Sequence, residues 1–94
     1  MRKLAWDTSF RRAFKRRTRR DPALEDRIFA VLEQLAEDPF HPALKSHKLS
    51  GQLSGLWSCW VEHDCRLIFA FEPDLASGEE MIVLIDVGSH DEVY

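Results

Sequence analysis

Cys65-Arg66-Leu67-Ile68-Phe69-Ala70-Phe71-Glu72 is the stretch whose period decides the fold. Successive side chains of a strand point to opposite faces, so Cys65, Leu67, Phe69 and Phe71 share one face. Arg66, Ile68, Ala70 and Glu72 share the other. The first face is wholly apolar and demands cover. The second mixes charge with apolar groups and reads as a partly open surface, a fit for Asp86 as well. Residues 56–61 and 81–87 have the same β-branched and aromatic composition. Glu62-His63-Asp64 and residues 73–78 supply the turns. The second half of the chain is therefore an antiparallel meander of three or four strands.

Toward the N-terminus the period becomes helical. Leu24, Ile28, Val31, Leu32 and Leu35 recur on one helix face. Asp21-Pro22 opens that helix, with Asp as N-cap and Pro at the first helical position. Glu25 and Asp26 fall in the first turn, where the macrodipole favours acids. Pro39 and Pro42 end it. Upstream, Asp7, Thr8 and Ser9 are N-cap types, and Phe10, Ala13, Phe14 and Thr18 form a narrow apolar stripe. The remaining positions of that first helix are Arg11, Arg12, Lys15, Arg16, Arg17, Arg19 and Arg20. The two helices turn back on each other at residues 19–21. Lys3-Leu4-Ala5-Trp6 is a candidate opening strand. The pattern predicts an α+β fold of two layers: an N-terminal strand and a helical hairpin packed on one face of an antiparallel β-sheet.

The 94 residues make a single domain, residues 1–94. With 45% hydrophobic and 31% charged residues the composition is that of a soluble globular protein. No apolar run is long enough for a membrane span. Met1–Phe10 has no apolar core of a secretory signal. Cys59 and Cys65 are too few for a disulfide framework, so a reducing cytoplasm is the expected compartment. Charge is sorted along the chain. Residues 1–20 carry nine Lys and Arg against Asp7 alone, while residues 21–94 carry four against fifteen acids. One strongly basic end on a chain of net charge −3 sets up a directed field that a polyanion or acidic partner can follow, unless it is only a solvated helix face.

Several classes of chemistry find no support. There is no Gly-rich phosphate loop, no zinc-ligand spacing and no Gly-x-Ser-x-Gly elbow, and neither a metal nor another cofactor is expected. What remains is a set of protonatable and cationic groups around the sheet. His47 and Lys48 precede the first long strand. Glu62, His63, Asp64 and Arg66 lie at a strand–turn–strand junction. His90, Asp91 and Tyr94 follow the last strand. Imidazole both donates and accepts protons near neutral pH, and arginine neutralises a phosphate bidentately. Together these groups suit metal-independent cleavage of RNA. The 2′-OH would attack, one group taking its proton and another protonating the leaving 5′-oxygen, with Arg66 stabilising the phosphorane. Each residue also has a plainer role. His47 could satisfy a turn, His63 could be ordinary surface, Asp64 could hold an Asx-turn, and Arg66 could pair with Asp86 or Glu72. His90 has the fewest structural reasons to be there.

Lys48-Leu49-Ser50-Gly51, Asp64-Cys65-Arg66-Leu67-Ile68-Phe69 and the ending Val87-Gly88-Ser89-His90-Asp91-Glu92-Val93-Tyr94, in this order of elements, resemble the RelE/ParE toxin superfamily. The ending and His47 resemble its YafQ-like branch most. The resemblance implies a toxin of a type II toxin–antitoxin system that cuts mRNA in the ribosomal A site without a metal. It implies catalytic roles for His47, Asp64, Arg66 and His90, with His90 as general acid. It implies substrate contacts from Lys48, His63 and Tyr94, the last stacking on a base. Ribosomal RNA would be met by Arg11, Arg12, Lys15, Arg16 and Arg19. A cognate antitoxin is the implied protein partner, with operator DNA bound only through it. Two positions depart from the YafQ pattern. Trp60 stands where another histidine is expected, and Asp86 where an arginine is. The alternative is therefore a ParE-like or inactive toxin that acts by protein binding, through gyrase or as an operon corepressor. A plain RNA-binding domain would depend on Arg11–Arg20 and not on His90.

Overall fold

The computed structural model describes residues 1–94. The first helix, α1 (Thr8–Thr18), buries Phe10, Ala13, Phe14 and Thr18, the four residues of the expected stripe. The Thr18 hydroxyl donates to the Phe14 carbonyl at 2.8 Å, which lets a polar group sit in the packed face. The second, α2 (Pro22–Glu37), starts where Asp21 accepts a hydrogen bond from the Leu24 N–H at 3.0 Å. It buries Leu24, Ile28, Leu32, Leu35 and Ala36, and Val31 is half-buried at the edge of the stripe.

Five strands form one sheet: β1 (Lys3–Trp6), β2 (His47–Lys48), β3 (Trp57–Glu62), β4 (Cys65–Pro73) and β5 (Glu80–Gly88). Their order is β1-β5-β4-β3-β2. The meander β3-β4-β5 is antiparallel, and the two-residue β2 adds to β3 in the same sense. The edge strand β1 instead runs parallel to β5, from Lys3 opposite Met81 to Trp6 opposite Leu84. Both helices and three strands intervene between that pair, so no hairpin turn dictates its direction.

The core lies between the helices and the sheet. From the sheet come Cys59, Val61, Cys65, Leu67, Phe69, Ile82, Leu84 and Val87. Trp6 meets Phe10 and Phe14 edge-on, at ring separations of 5.0 and 5.2 Å. Strict alternation from Leu84 would point Asp86 into this core. A bulge prevents it. Phe69 pairs with Leu84 and Ile68 with Asp86, so Ile85 is an extra residue and Asp86 turns out to the open face.

After β5 comes one more turn of helix, α3 (His90–Val93), where the sequence reading placed only a tail. Its signature was legible as Ser89-x-x-Glu92. The Ser89 Oγ accepts from the Glu92 N–H, and Glu92 Oε1 accepts from the Ser89 N–H at 2.8 Å. Gly88 makes room for that box, since a Cβ there would lie 2.9 Å from Glu92 Oε1. The turn packs on β4 and β5 from the side away from α1 and α2, and buries Val93.

Candidate active site

Strand register sets the layout of the open face. His47 lies opposite Ser58, Ser58 opposite Ile68, and Ile68 opposite Asp86. In the next row Trp60 lies opposite Arg66, and Arg66 opposite Gly88. Between these rows and the loop before β2 is a cleft of about 250 Å³, lined by Lys45, His47, Cys59, Trp60 and Arg66.

His47 is oriented by its own loop. Its Nδ1 lies 3.1 Å from the Lys45 carbonyl, which can only accept. The proton of the neutral ring therefore sits on Nδ1, and Nε2 keeps its lone pair. Arg66 is fixed by the turn beneath it. Its Nη1 donates to the carbonyls of Glu62 at 2.6 Å, Cys65 at 3.1 Å and His63 at 3.2 Å. The other guanidinium nitrogens are uncommitted. Arg66 makes no ion pair with Asp86 or Glu72, so that plainer reading is not met. Asp86 accepts instead from the adjacent Val87 N–H at 2.9 Å.

The last turn brings two more expected residues to this face. The Tyr94 hydroxyl is hydrogen-bonded to the buried Ser58 hydroxyl, next to His47 across the strand pair. Tyr94 also meets the His90 ring edge-on at 4.4 Å. His90 is exposed, and its Nδ1 lies 3.7 Å from Asp91 Oδ1.

Asp64 points elsewhere. Its carboxylate lies 3.3 Å from the Arg17 guanidinium of α1, and its carbonyl accepts from the same nitrogen. Arg17 also reaches Glu92 Oε1 at 3.7 Å. One arginine thus joins α1, the β3–β4 turn and α3, while its buried Nε has no acceptor. Burial alone would lower the Arg17 pKa, but the Asp64 hydrogen bond and nearby carboxylates hold it above its ordinary value. Glu92 is held below the usual carboxylate range, first by the Ser89 backbone N–H and then by the Ser89 side chain.

His63 is exposed in the turn, and Lys48 lies over the Trp57 ring at 5.7 Å. Arg11, Arg12, Lys15 and Arg16 on α1, and Arg19 just past its end, are exposed and form no ion pair. They belong to the helical layer, not to the cleft. The structure thus gathers His47 and Arg66 in the cleft, with His90 and Tyr94 on the same face, and turns Asp64 toward α1. Lys45, Ser58 and Arg17 were not singled out from sequence. Arg17 had a signal: it is three residues from Phe14 and seven from Phe10, on the buried stripe.

The family model for the bacterial toxin of type II toxin–antitoxin systems, YafQ, matches residues 2–94. The chain belongs to the YafQ toxin family. A comparison with curated protein sequences gives no significant match. Among solved structures, a YoeB/ParE toxin from Agrobacterium tumefaciens is similar at TM-score 0.77 and 22% identity, covering 94% of this chain and 98% of that one. YafQ from E. coli strain BL21(DE3) is similar at TM-score 0.74 and 15% identity, covering 100% and 99%. The heterotetrameric YoeB–YefM toxin–antitoxin complex from Staphylococcus aureus is similar at TM-score 0.72 and 16% identity, covering 96% and 98%. At these identities the structures bear on fold alone, and the fold agrees with the resemblance drawn from the meander and the Gly-Ser-His ending. This YafQ-family protein is a toxin of a type II system, with the two-layer α+β architecture of its structural relatives.

Proposed function

We propose that this toxin is a metal-independent endoribonuclease that cuts mRNA in the ribosomal A site. The observation that carries the reading is the His47 ring, held at Nδ1 by the Lys45 carbonyl with no protein partner at Nε2, in the same cleft as a half-committed Arg66. His47 Nε2 takes the proton of the 2′-OH. The 2′-oxygen attacks phosphorus, and the uncommitted N–H groups of Arg66 stabilise the phosphorane charge. His90, as imidazolium, gives its proton to the leaving 5′-oxygen. The products are a 2′,3′-cyclic phosphate and a 5′-hydroxyl. Asp64 is the carboxylate of the set, held outside the cleft by Arg17. Lys48, His63 and Tyr94 contact the message, and Arg11, Arg12, Lys15, Arg16 and Arg19 meet ribosomal RNA.

The toxin acts in the cytoplasm and is silenced by a cognate antitoxin, as the YoeB–YefM complex supports. Operator DNA is reached through that antitoxin. Asp86 favours a second reading. Its carboxylate stands on the same open face with no cationic partner, which opposes a phosphate. In that reading the toxin is ParE-like or inactive, and acts by binding gyrase or by corepression.

End mapping of message on programmed ribosomes, with EDTA present, tests both. Cuts at A-site codons by wild type and none by folded His90→Ala are the expected result. No cuts from either protein would favour the second reading, and gyrase supercoiling is then the assay.

A further inference from the structure

Residues 21–94 hold only four Lys and Arg among fifteen acids: Arg27, Lys45, Lys48 and Arg66. Arg27 is ion-paired with Glu62 at 3.4 Å. The other three make no ion pair, despite the excess of carboxylates. Each lies over an indole instead. Lys45 Nζ is 5.1 Å from the Trp60 ring, the Arg66 guanidinium carbon 6.0 Å from the same ring, and Lys48 Nζ 5.7 Å from Trp57.

The choice of partner matters for the field. A carboxylate steadies a cation and cancels its charge. An indole steadies it through the ring quadrupole and leaves the net charge intact. No acid lines the cleft that Lys45, Trp60 and Arg66 share. Lys45 is also held by its backbone. It takes the left-handed conformation at φ +50°, which a residue with a side chain adopts only where its surroundings impose it. Its N–H donates to the Pro42 carbonyl at 3.2 Å, and its own carbonyl accepts from His47.

We propose that Trp60 is a positioning residue that holds Lys45 beside Arg66, itself fixed by the turn carbonyls, so that the two form a two-cation site for neighbouring phosphates of one RNA strand. The inference rests on the endoribonuclease reading and adds Lys45 and Trp60 to it. Arg66 takes the scissile phosphate and Lys45 the next one. Trp60, a departure from the YafQ pattern, thus keeps the cleft electropositive where Asp86 would otherwise weaken it.

The test is binding of a dye-labelled 2′-O-methyl oligoribonucleotide, which lacks the attacking hydroxyl, followed by anisotropy over a salt series. Removing one phosphate contact should flatten the slope of log K against log salt by about 0.7, or about fivefold in affinity at 0.1 M salt. Lys45→Ala should show that loss, and so should Trp60→Leu, which keeps both cations. Trp60→Phe, which keeps a ring, should restore most of it. An unchanged slope in Lys45→Ala, a Phe variant no better than Leu, or no binding by wild type would each overturn the proposal. Cleavage on ribosomes is measured in parallel. A wild type that binds with the expected Lys45 dependence but cuts nothing would sink the endoribonuclease reading and leave the anion site standing.

Discussion

The two faces of β4 are almost equally buried and very differently held. On one, Cys65, Leu67 and Phe69 have no exposed area, and their cover is two helices of 11 and 16 residues. On the other, Ile68 and Ala70 are 2% and 7% exposed, and the helix on that side is a single four-residue turn. Burial counts the area removed from water. It says nothing of how firmly the cover is anchored. The helical face is built for stability, and the open face keeps its polar groups within reach of solvent under a cover that can shift.

The widest gap between the faces should appear in stability. Phe69→Ala should cost about 3–5 kcal/mol in urea denaturation, because two packed helices cannot collapse onto the cavity. Ile68→Ala should cost roughly 2 kcal/mol, at the low end for such truncations, since α3 can settle into the space. Equal losses would erase the distinction. Activity should sort the other way. His90→Ala should lower cleavage by about 10²- to 10⁴-fold with an unchanged urea midpoint. A variant that cuts like wild type would remove His90 from the chemistry.

Arg17→Ala probes the tie that joins α1 to both the β3–β4 turn and α3. Its partners are partly exposed, so the loss should be near 1 kcal/mol, with faster amide exchange in α3 than in β4. Uniform loosening of both would show that Arg17 does not anchor the turn selectively. A smaller effect comes from pH. The folded-state pKa of Glu92 lies below its unfolded value, so its contribution is complete above the unfolded pKa. It fades as pH falls through the folded pKa, below the ordinary 4.5. Amide protection in α3, relative to the intrinsic exchange rate, should therefore fall below that pH while β4 stays protected, and Glu92→Gln should abolish the dependence. The smallest effect is none at all. Burial pushes the Cys59 thiol up to about 12. Native protein at pH 8 should resist iodoacetamide at Cys59, whose side chain packs in the core between the helices and the sheet.

The helical face was legible because periodicity reports burial on a surface that is apolar throughout. Phe10, Ala13, Phe14 and Thr18 fell where the stripe put them, and the meander strands began and ended within a residue of expectation. The open face was legible residue by residue but not in arrangement. His47, Arg66, His90 and Tyr94 were chosen as chemical types, and the sheet brings them to one side. Asp64 was chosen on the same grounds, yet its direction depends on Arg17, 47 residues away. Lys45 carried no signal, since a lysine in a left-handed conformation looks like any other lysine in sequence. The parallel seat of β1 was equally hidden, because it depends on a partner at the far end of the sheet's chain order.

That seat for β1 has a consequence for synthesis. A nascent chain that has emerged only as far as residue 79 offers β1 no strand to pair with, and leaves β4 with a bare edge. Such an edge invites association with other chains until β5 arrives to fill it. Arg66 sits in the pair that β5 completes at Gly88, and His90 follows two residues later. The toxin is therefore assembled as a working surface only once β5 has emerged. Until then the polypeptide carries His47 and Arg66 without the strand that completes their scaffold.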